Sequence, residues 1–262
     1  MAEGSPETVE VICADALDGI PHGFLGRRGG VSTGVAAGLN TGPGSGDDPA
    51  AIAENRRRAV QAILPDASLV AVYQIHSPHC VTVEEPWDDD SRPQADALVT
   101  RREGILLGIL TADCAPVLLA DREAGVVGAA HAGWKGALAG VTDRTVEAME
   151  ALGARRPAIV AAIGPCIAQA SYEVDEAFRF RLEAADSANA RFFGPGRQGH
   201  WQFDLEGYVA LRLQSAGLGR VEQLGLDTYA DAARFFSFRR ATHLGEASYG
   251  RQISLIGLNK AR

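Results

Sequence analysis

A cysteine and a histidine at the open end of one hairpin are the residues of this sequence best suited to chemistry. Two apolar runs within 111–134 flank the polar segment 121–125, a pattern typical of a β-hairpin. Pairing outward from a turn centred near 122.5 or 123 gives partner numbers that sum to 245 or 246, which predicts Cys114 opposite His131. Opposed residues have Cβ atoms about 4.5–5.5 Å apart, so both side chains would reach one metal ion.

A third candidate ligand, His76, lies in segment 73–80, where a Ser-Pro pair predicts a turn after an apolar strand. Two nitrogens and one sulfur form a three-ligand set with a free fourth position, which is typical of catalytic zinc. His79 and Cys80 are competing ligands. Asp113, next to Cys114, is a candidate for orienting a ligand by a hydrogen bond.

The same residue types also fit other chemistries. A His₂Cys set occurs in blue-copper sites, and Cys114 with His131 as its base would suit a metal-free cysteine hydrolase. Cys114 alone would pack as a small apolar residue, and a zinc ion without catalysis would be structural. A multicopper oxidase needs more histidines, and the remaining ones are scattered: His22, His79, His200 and His243. The small number of remaining histidines and their scatter along the chain therefore favour zinc over copper.

Helices and short apolar strands must position these residues. The patterns predict helices over 48–64, 136–152, 176–185 and 204–216. They predict strands over 69–73, 104–111, 116–120, 126–130, 158–163 and 252–258. Several strands are wholly apolar, which indicates cover on both faces. Short turns between them favour mixed or antiparallel pairing, hence an α+β fold. We expect one domain over 1–262, with the acidic tract 84–90 as a solvated loop.

Composition narrows the function classes. The chain has 262 residues, 46% of them hydrophobic and 22% charged, as in an ordinary globular protein. A net charge of −8 argues against a general nucleic-acid binder. The sequence has neither an apolar run of membrane-spanning length nor the features of a signal peptide at its start. We therefore expect a cytoplasmic monomer or small homo-oligomer that contacts no nucleic acid or membrane. Its cysteines would be reduced thiols: Cys13, Cys80, Cys114 and Cys166.

Eight ordered motifs run along most of the chain. They are Arg27-Arg-Gly-Gly-Val-Ser32, Leu39-Asn-Thr-Gly42, Gly46-Asp-Asp48 with Asn55-Arg56, Gln74-Ile-His76, Thr111-Ala-Asp-Cys-Ala-Pro116, His131-Ala-Gly-Trp-Lys-Gly136, Ile163-Gly-Pro-Cys166 with Tyr172-Glu-Val174, and Phe235-Phe-Ser-Phe-Arg-Arg240. Over 24–258 the chain thereby resembles the bacterial YfiH-like proteins. These were once labelled multicopper polyphenol oxidases (laccase-like) and are now regarded as purine nucleoside phosphorylases with adenosine deaminase activity. Two positions depart from the family pattern: Asp227 replaces a frequent cysteine, and Leu25-Gly26 precedes Arg27 without hydroxyl groups.

The resemblance implies an α+β fold of the CNF1/YfiH-like type, with mixed or antiparallel central sheets flanked by helices. It implies zinc held by His76, Cys114 and His131, the trio that spacing also indicates. It further implies purine nucleosides and inorganic phosphate as substrates. The reactions would be phosphorolysis of adenosine, inosine, guanosine or methylthioadenosine, and hydrolytic loss of the adenine 6-amino group.

Candidate catalytic residues follow from those reactions. Deamination needs a general acid or base near the metal-binding Cys114, and Asp113 is the first choice with Glu173 as the second. Phosphorolysis needs an anion site, and Arg27 in its glycine-rich turn is the first candidate because arginine binds phosphate through two hydrogen bonds.

Four further residues are candidates for binding substrate, each with a structural alternative. Lys135 would add positive charge near the metal, or lie in solvent. Asn40 would hydrogen-bond the ribose or base, or stabilise its own turn. Cys166 would line the pocket or pack in the core, and Trp134 would stack on a purine or pack likewise.

Overall fold

The computed structural model describes residues 8–259, which form helices layered on β-sheets. The strands are β1 (Val11–Ile12), β2 (His22–Leu25), β3 (Ser68–Ala71), β4 (Cys80–Thr82), β5 (Ala97–Thr100), β6 (Ile105–Thr111), β7 (Ala115–Asp121), β8 (Val126–Ala132), β9 (Val160–Ile163), β10 (Glu173–Asp175), β11 (Phe193–Pro195), β12 (His200–Phe203), β13 (Arg220–Gln223) and β14 (Gln252–Gly257). The α-helices are α1 (Pro49–Ile63), α2 (Trp134–Ala139), α3 (Val141–Ala151), α4 (Glu176–Ala185), α5 (Leu205–Ser215) and α6 (Phe238–Leu244).

Within residues 8–259 the strands form three sheets. One has the order β1-β2-β14-β6-β3, the second has β13-β9-β7-β8-β5-β4, and a small one has β10-β12-β11. Most neighbours are antiparallel, but β3 with β6, β4 with β5, and β13 with β9 run parallel. The predicted α+β fold with mixed sheets is therefore confirmed.

The two large sheets pack face to face between helical layers, which explains the wholly apolar strands. Along β7, Val117 and Leu119 belong to the core shared with α3 and α5. Leu118 and Ala120 belong to the core between the two sheets. Alternate residues of a strand point to opposite faces, so a strand covered on both sides carries apolar residues at every position.

Helix α1 covers the outer face of the five-stranded sheet. It begins where the sequence predicts, because the Asp48 carboxylate accepts a hydrogen bond from the Ala50 N–H at 3.0 Å. Its buried Ala59 packs with Leu106 and Leu255 of that sheet. Over residues 8–259, no helix has both the length and the apolar character needed to cross a bilayer.

The single helix predicted over 136–152 is wrong. The structure has two helices there, α2 and α3, separated by Gly140 with φ 94°. A glycine in this left-handed conformation ends a helix, and the Gly140 N–H bonds back to the Ala137 carbonyl at 3.2 Å. The break lets α2 begin directly after β8, beside the candidate site.

Candidate metal centre

Three side chains from separate segments converge into one cluster: His76, Cys114 and His131. Their candidate ligand atoms all lie within 4.8 Å of one another, and no other such group occurs among the residues that the structure describes. The Sγ of Cys114 is 3.8 Å from Nε2 of His76. The two imidazole rings meet edge to face, with centroids 4.7 Å apart. One metal ion can therefore contact all three side chains.

The hairpin that carries Cys114 and His131 has a different register from the predicted one. His131 pairs with Pro116, so partner numbers sum to 247 instead of 245 or 246. The reason is the position of the turn, which occupies 122–125 and in which the Asp121 carboxylate accepts hydrogen bonds from the N–H groups of Glu123 and Ala124. Cys114 lies just before β7. Asp113, with φ 85°, turns the chain there, and Cys114 still reaches the cluster.

The absence of a side chain at Gly133 makes room for the cluster. A Cβ at this position would lie 2.8 Å from Cys114 Sγ and 2.9 Å from His76 Cδ2. The backbone of Gly133 has φ −70°, which alanine adopts without strain. The glycine is therefore required by the side chains around it and not by its own backbone.

Gly133→Ala is expected to lower metal affinity about 10-fold or more, because the methyl group displaces two ligands while the fold is retained. Metal affinity is measured by competition with a chelating dye, and folding by circular dichroism. Gly194→Ala is the control, since its Cβ would meet no atom closer than 3.4 Å. Unchanged affinity in Gly133→Ala would contradict the assignment.

The residue that sequence reasoning missed is Asp96, which is fully buried beside the cluster. Its carboxylate lies 2.8 Å from Nδ1 of His131, and it accepts hydrogen bonds from the N–H groups of His76 at 2.9 Å and Ser77 at 2.6 Å. With Nδ1 engaged in this way, Nε2 of His131 is free to bind a metal. The available signal was a single carboxylate inside the apolar run 95–99.

The charges within the cluster stabilise one another. Burial opposes ionisation of Asp96, but hydrogen bonds from His131 and Ser77 lower its pKa to about 2. Burial likewise opposes ionisation of Cys114, yet the neighbouring His131 lowers its pKa to about 6. Against the effect of burial, the Cys114 thiolate and Asp96 raise the pKa of His131 to about 9. A thiolate is the form of cysteine that binds metal, so the cluster is suited to a cation.

Two cavities meet at the cluster and share His76, Ala112 and Cys114. The smaller cavity has a volume of about 330 Å³, and its polar lining includes Arg92 and Arg251. The larger has a volume of about 720 Å³. Both volumes are in the range of small-molecule sites.

The larger cavity combines aromatic rings with charged groups. Its rings are those of Trp134, Tyr172, Phe178 and Phe238, and its charged residues are Asp113, Lys135, Glu173, Asp175, Arg181, Arg197 and Arg239. This combination suits a flat, polar heterocycle with hydroxyl groups attached.

Several sequence-predicted residues line this larger cavity. Lys135 is exposed there, and Trp134 packs on Phe178 with ring centroids 4.8 Å apart. The Asp113 carboxylate accepts hydrogen bonds from Thr228 Oγ1 at 2.7 Å and Ser237 Oγ at 2.9 Å. It also accepts one from the Arg239 N–H at 2.6 Å. Burial raises the pKa of Asp113.

Other predicted residues lie away from both cavities. The Arg27 guanidinium donates to the carbonyls of Ala37 and Ala232 and lies over the Phe236 ring. Asn40 is fully buried and accepts a hydrogen bond from the Arg251 N–H at 2.9 Å. Among the described residues that line the two cavities, neither of these side chains appears.

The remaining cysteine and histidine candidates also lie outside the cluster. Cys166 is buried, and burial raises the pKa of its thiol. Cys80 is directed towards Thr145 of α3, and burial raises its pKa to about 12. His79 is exposed. Asp227, which departs from the family pattern, accepts a hydrogen bond from Ser171 Oγ at 2.6 Å.

Comparisons with known proteins agree with this architecture. Residues 21–259 match the model of a family described as multi-copper polyphenol oxidoreductase laccase. A purine nucleoside phosphorylase of Deinococcus radiodurans is 42% identical over 243 residues, which are 91% of this chain and 89% of the relative. A purine nucleoside phosphorylase of Streptomyces coelicolor is 39% identical over 227 residues, which are 86% of this chain and 92% of the relative.

Solved structures show the same fold. A Neisseria meningitidis protein of the DUF152 family superposes with a TM-score of 0.86 at 31% identity, covering 97% of this chain and 100% of that one. The YfiH protein of Bacillus licheniformis gives a TM-score of 0.86 at 28% identity, covering 97% of each chain.

Proposed function

The chain belongs to the laccase-like YfiH (DUF152) family, and from this premise we propose that it is a zinc-dependent purine nucleoside phosphorylase with adenosine deaminase activity. The observation that carries the proposal is the cluster of His76, Cys114 and His131, two of whose members, His76 and Cys114, lie in the wall of a cavity large enough for a nucleoside. Relatives that are purine nucleoside phosphorylases support an enzyme of that kind. We propose adenosine, inosine, guanosine and methylthioadenosine as its substrates.

The donor set of the cluster fits zinc. Two imidazoles and a thiol of lowered pKa are ligands that zinc prefers, and three protein ligands leave a position for water or substrate. When bound there, zinc would supply Lewis acidity and activate water for the loss of the 6-amino group. His76, Cys114 and His131 would hold it, with Asp96 orienting His131.

The remaining histidines do not assemble a copper cluster. Both ring nitrogens of His22 are engaged by backbone groups, Nδ1 with the Ile20 carbonyl and Nε2 with the Ala14 N–H. His200 and His243 both line the larger cavity, where Nδ1 of His200 contacts the Gln198 carbonyl and Nδ1 of His243 contacts the Tyr229 hydroxyl. His79 is exposed. This distribution supports zinc chemistry over multicopper oxidation.

The larger cavity would bind the nucleoside. The rings of Trp134, Tyr172 and Phe238 offer apolar surface for the purine, and Lys135 offers a positive charge at its rim. In phosphorolysis a phosphate oxygen bonds to C1′ of the ribose while the bond from C1′ to the base nitrogen breaks. The departing base takes up a proton. Asp113, buried with a raised pKa, is our candidate for proton transfer, and Glu173 is the alternative.

The test is to incubate the purified protein with adenosine and inorganic phosphate and to separate the products by chromatography. We expect inosine, adenine and hypoxanthine, with ribose 1-phosphate equal in amount to the two free bases together. Removal of metal by a chelator should abolish both reactions, and stoichiometric zinc should restore them.

Three outcomes would contradict the proposal. Absence of phosphate-dependent base release would exclude the phosphorylase. Full activity of the metal-free protein, lost on thiol alkylation, would favour the cysteine hydrolase. Stoichiometric copper with an intense blue absorption band would exclude zinc.

A further inference from the structure

The smaller of the two cavities differs from the larger in the sign of its charge. Arg92 and Arg251 line it, and no aspartate or glutamate is found among its described lining residues. The larger cavity, in contrast, contains three carboxylates among its cations. In a chain with a net charge of −8, a cavity with arginines and no carboxylate is a local concentration of positive charge. Its charge therefore favours an anion.

A buried hydroxyl without a partner lies in the same wall. Thr111 is 2% exposed, and its Oγ1 has no hydrogen-bond partner within residues 8–259. A buried polar atom without a partner destabilises the protein unless a ligand or water satisfies it. Thr111 is the last residue of β6, so its position is held by the sheet. The cavity therefore offers a fixed hydrogen-bond donor as well as positive charge.

Arg251 is held in place by its main chain while its guanidinium remains largely available. Its N–H donates to Asn40 and its carbonyl accepts from the Thr41 N–H at 3.0 Å. Within residues 8–259 the guanidinium makes two long hydrogen bonds, both 3.3 Å, to the Pro43 carbonyl and the Tyr249 hydroxyl, and its Cζ lies over the Tyr249 ring, 4.9 Å from the centroid. The strongest donors of this side chain are thus not yet saturated.

Arg92 is fixed in a similar way from the other side. Its Nε donates to the Asp89 carbonyl at 2.7 Å and lies 3.5 Å from the Asp89 carboxylate. No partner of its two terminal nitrogens is found in the part of the chain that the structure describes. Asp89 itself does not line the cavity and is half exposed. The terminal nitrogens of Arg92, and the N–H groups of Arg251 that its two long hydrogen bonds leave over, can together bind the oxygens of one tetrahedral oxyanion.

We propose that the smaller cavity is the binding subsite for inorganic phosphate, formed by Arg92, Arg251 and Thr111. The assignment rests on the proposed phosphorylase function. Because both cavities meet at His76 and Cys114, phosphate here would lie next to a nucleoside in the larger cavity. Arg251 and Arg92 then take the role that the sequence suggested for Arg27, whose guanidinium is bound to backbone carbonyls.

The test is a calorimetric titration of the zinc-loaded protein with inorganic phosphate, which measures the affinity for phosphate. Arg251→Gln and Arg92→Gln should each weaken phosphate binding about 10- to 100-fold, as expected for a charged hydrogen-bond donor. Arg251→Lys should recover part of the affinity. Arg144→Gln, an exposed arginine of α3, is the control and should bind like the wild type.

Thr111→Val keeps the test decisive if an arginine variant fails to fold. The substitution removes an unpartnered hydroxyl, so the melting temperature without phosphate should be unchanged or higher. Phosphate affinity should nevertheless fall about 2- to 10-fold. A melting temperature that falls, or an affinity that stays at the wild-type value, would overturn the role of Thr111.

The same titration locates the anion. Loss of affinity in Arg181→Gln, with none in Arg92→Gln and Arg251→Gln, would place phosphate in the larger cavity and overturn the inference. Adenosine 5′-monophosphate is the second ligand, because a nucleotide phosphate shares the chemistry. Tighter binding of the nucleotide than of inorganic phosphate, through the same three residues, would also overturn it. If phosphate binding depends on Arg251 but the protein catalyses no phosphorolysis, the phosphate subsite is supported and only the proposed function is contradicted.

Discussion

Cys114→Ser is expected to abolish metal binding and nucleoside turnover together. The Cys114 thiol has a pKa lowered to about 6 by His131, so at neutral pH it is a thiolate ready to bind a cation. A serine hydroxyl stays protonated at that pH and is a poor ligand for zinc. With only His76 and His131 remaining, metal affinity should fall about 100-fold or more, which exceeds the usual loss of an outer hydrogen-bond partner.

Metal content by mass spectrometry and product formation by chromatography measure the two losses in the same samples. Cys13→Ser is the matched control, because Cys13 is an exposed thiol away from the cluster. It should keep both metal and turnover. A Cys114→Ser protein that retained metal and activity would remove the central assignment.

Asp96→Asn should lower metal affinity about 10- to 100-fold and destabilise the fold by about 3 kcal/mol. The Asp96 carboxylate accepts hydrogen bonds from the N–H groups of the turn that carries His76, and it orients His131. Asparagine would replace one acceptor oxygen with an NH2 group that faces N–H donors, and it would remove the negative charge. His76 and His131 would then lose the contacts that place them.

Asp121→Asn separates a loss of stability from a loss of metal. Asp121 is equally buried, and its carboxylate accepts hydrogen bonds from the N–H groups of Glu123, Ala124 and Arg155. Its substitution should destabilise the fold to a similar degree, as measured by urea unfolding, and leave metal affinity of the folded protein unchanged. Wild-type metal affinity in Asp96→Asn would show that Asp96 has only a structural role.

Local patterns were sufficient for the hairpin beside the cluster and for one of the helices that line the larger cavity. The hairpin of β7 and β8 follows from two apolar runs about a polar turn, and α4 has the predicted bounds of Glu176–Ala185. Those signals depend on neighbours within one turn or one strand. The break at Gly140 was missed because the apolar periodicity continues across it, and only the backbone angle shows the interruption.

Register and anion binding needed the folded chain. The turn is centred at 123.5, and not near 122.5 or 123 as predicted, which shifted the partner of His131 from Cys114 to Pro116. Arg27 looked suited to phosphate because of its glycine-rich turn, but the carbonyls of Ala37 and Ala232 occupy its guanidinium. Arg92 and Arg251 stand in no recognisable motif, and only the packing of distant loops brings both to one cavity.

The amino-acid sequence by itself determined the α+β class, the hairpin and the three side chains of the candidate metal centre, because residue type and short-range spacing encode them. The tertiary structure decided the rest. Asp96 is 20 residues from His76 and 35 from His131, and only folding brings its carboxylate to both. Contacts between residues this far apart in the sequence form only when separate strands pack together, and the short-range periodicity of a sequence does not reveal them.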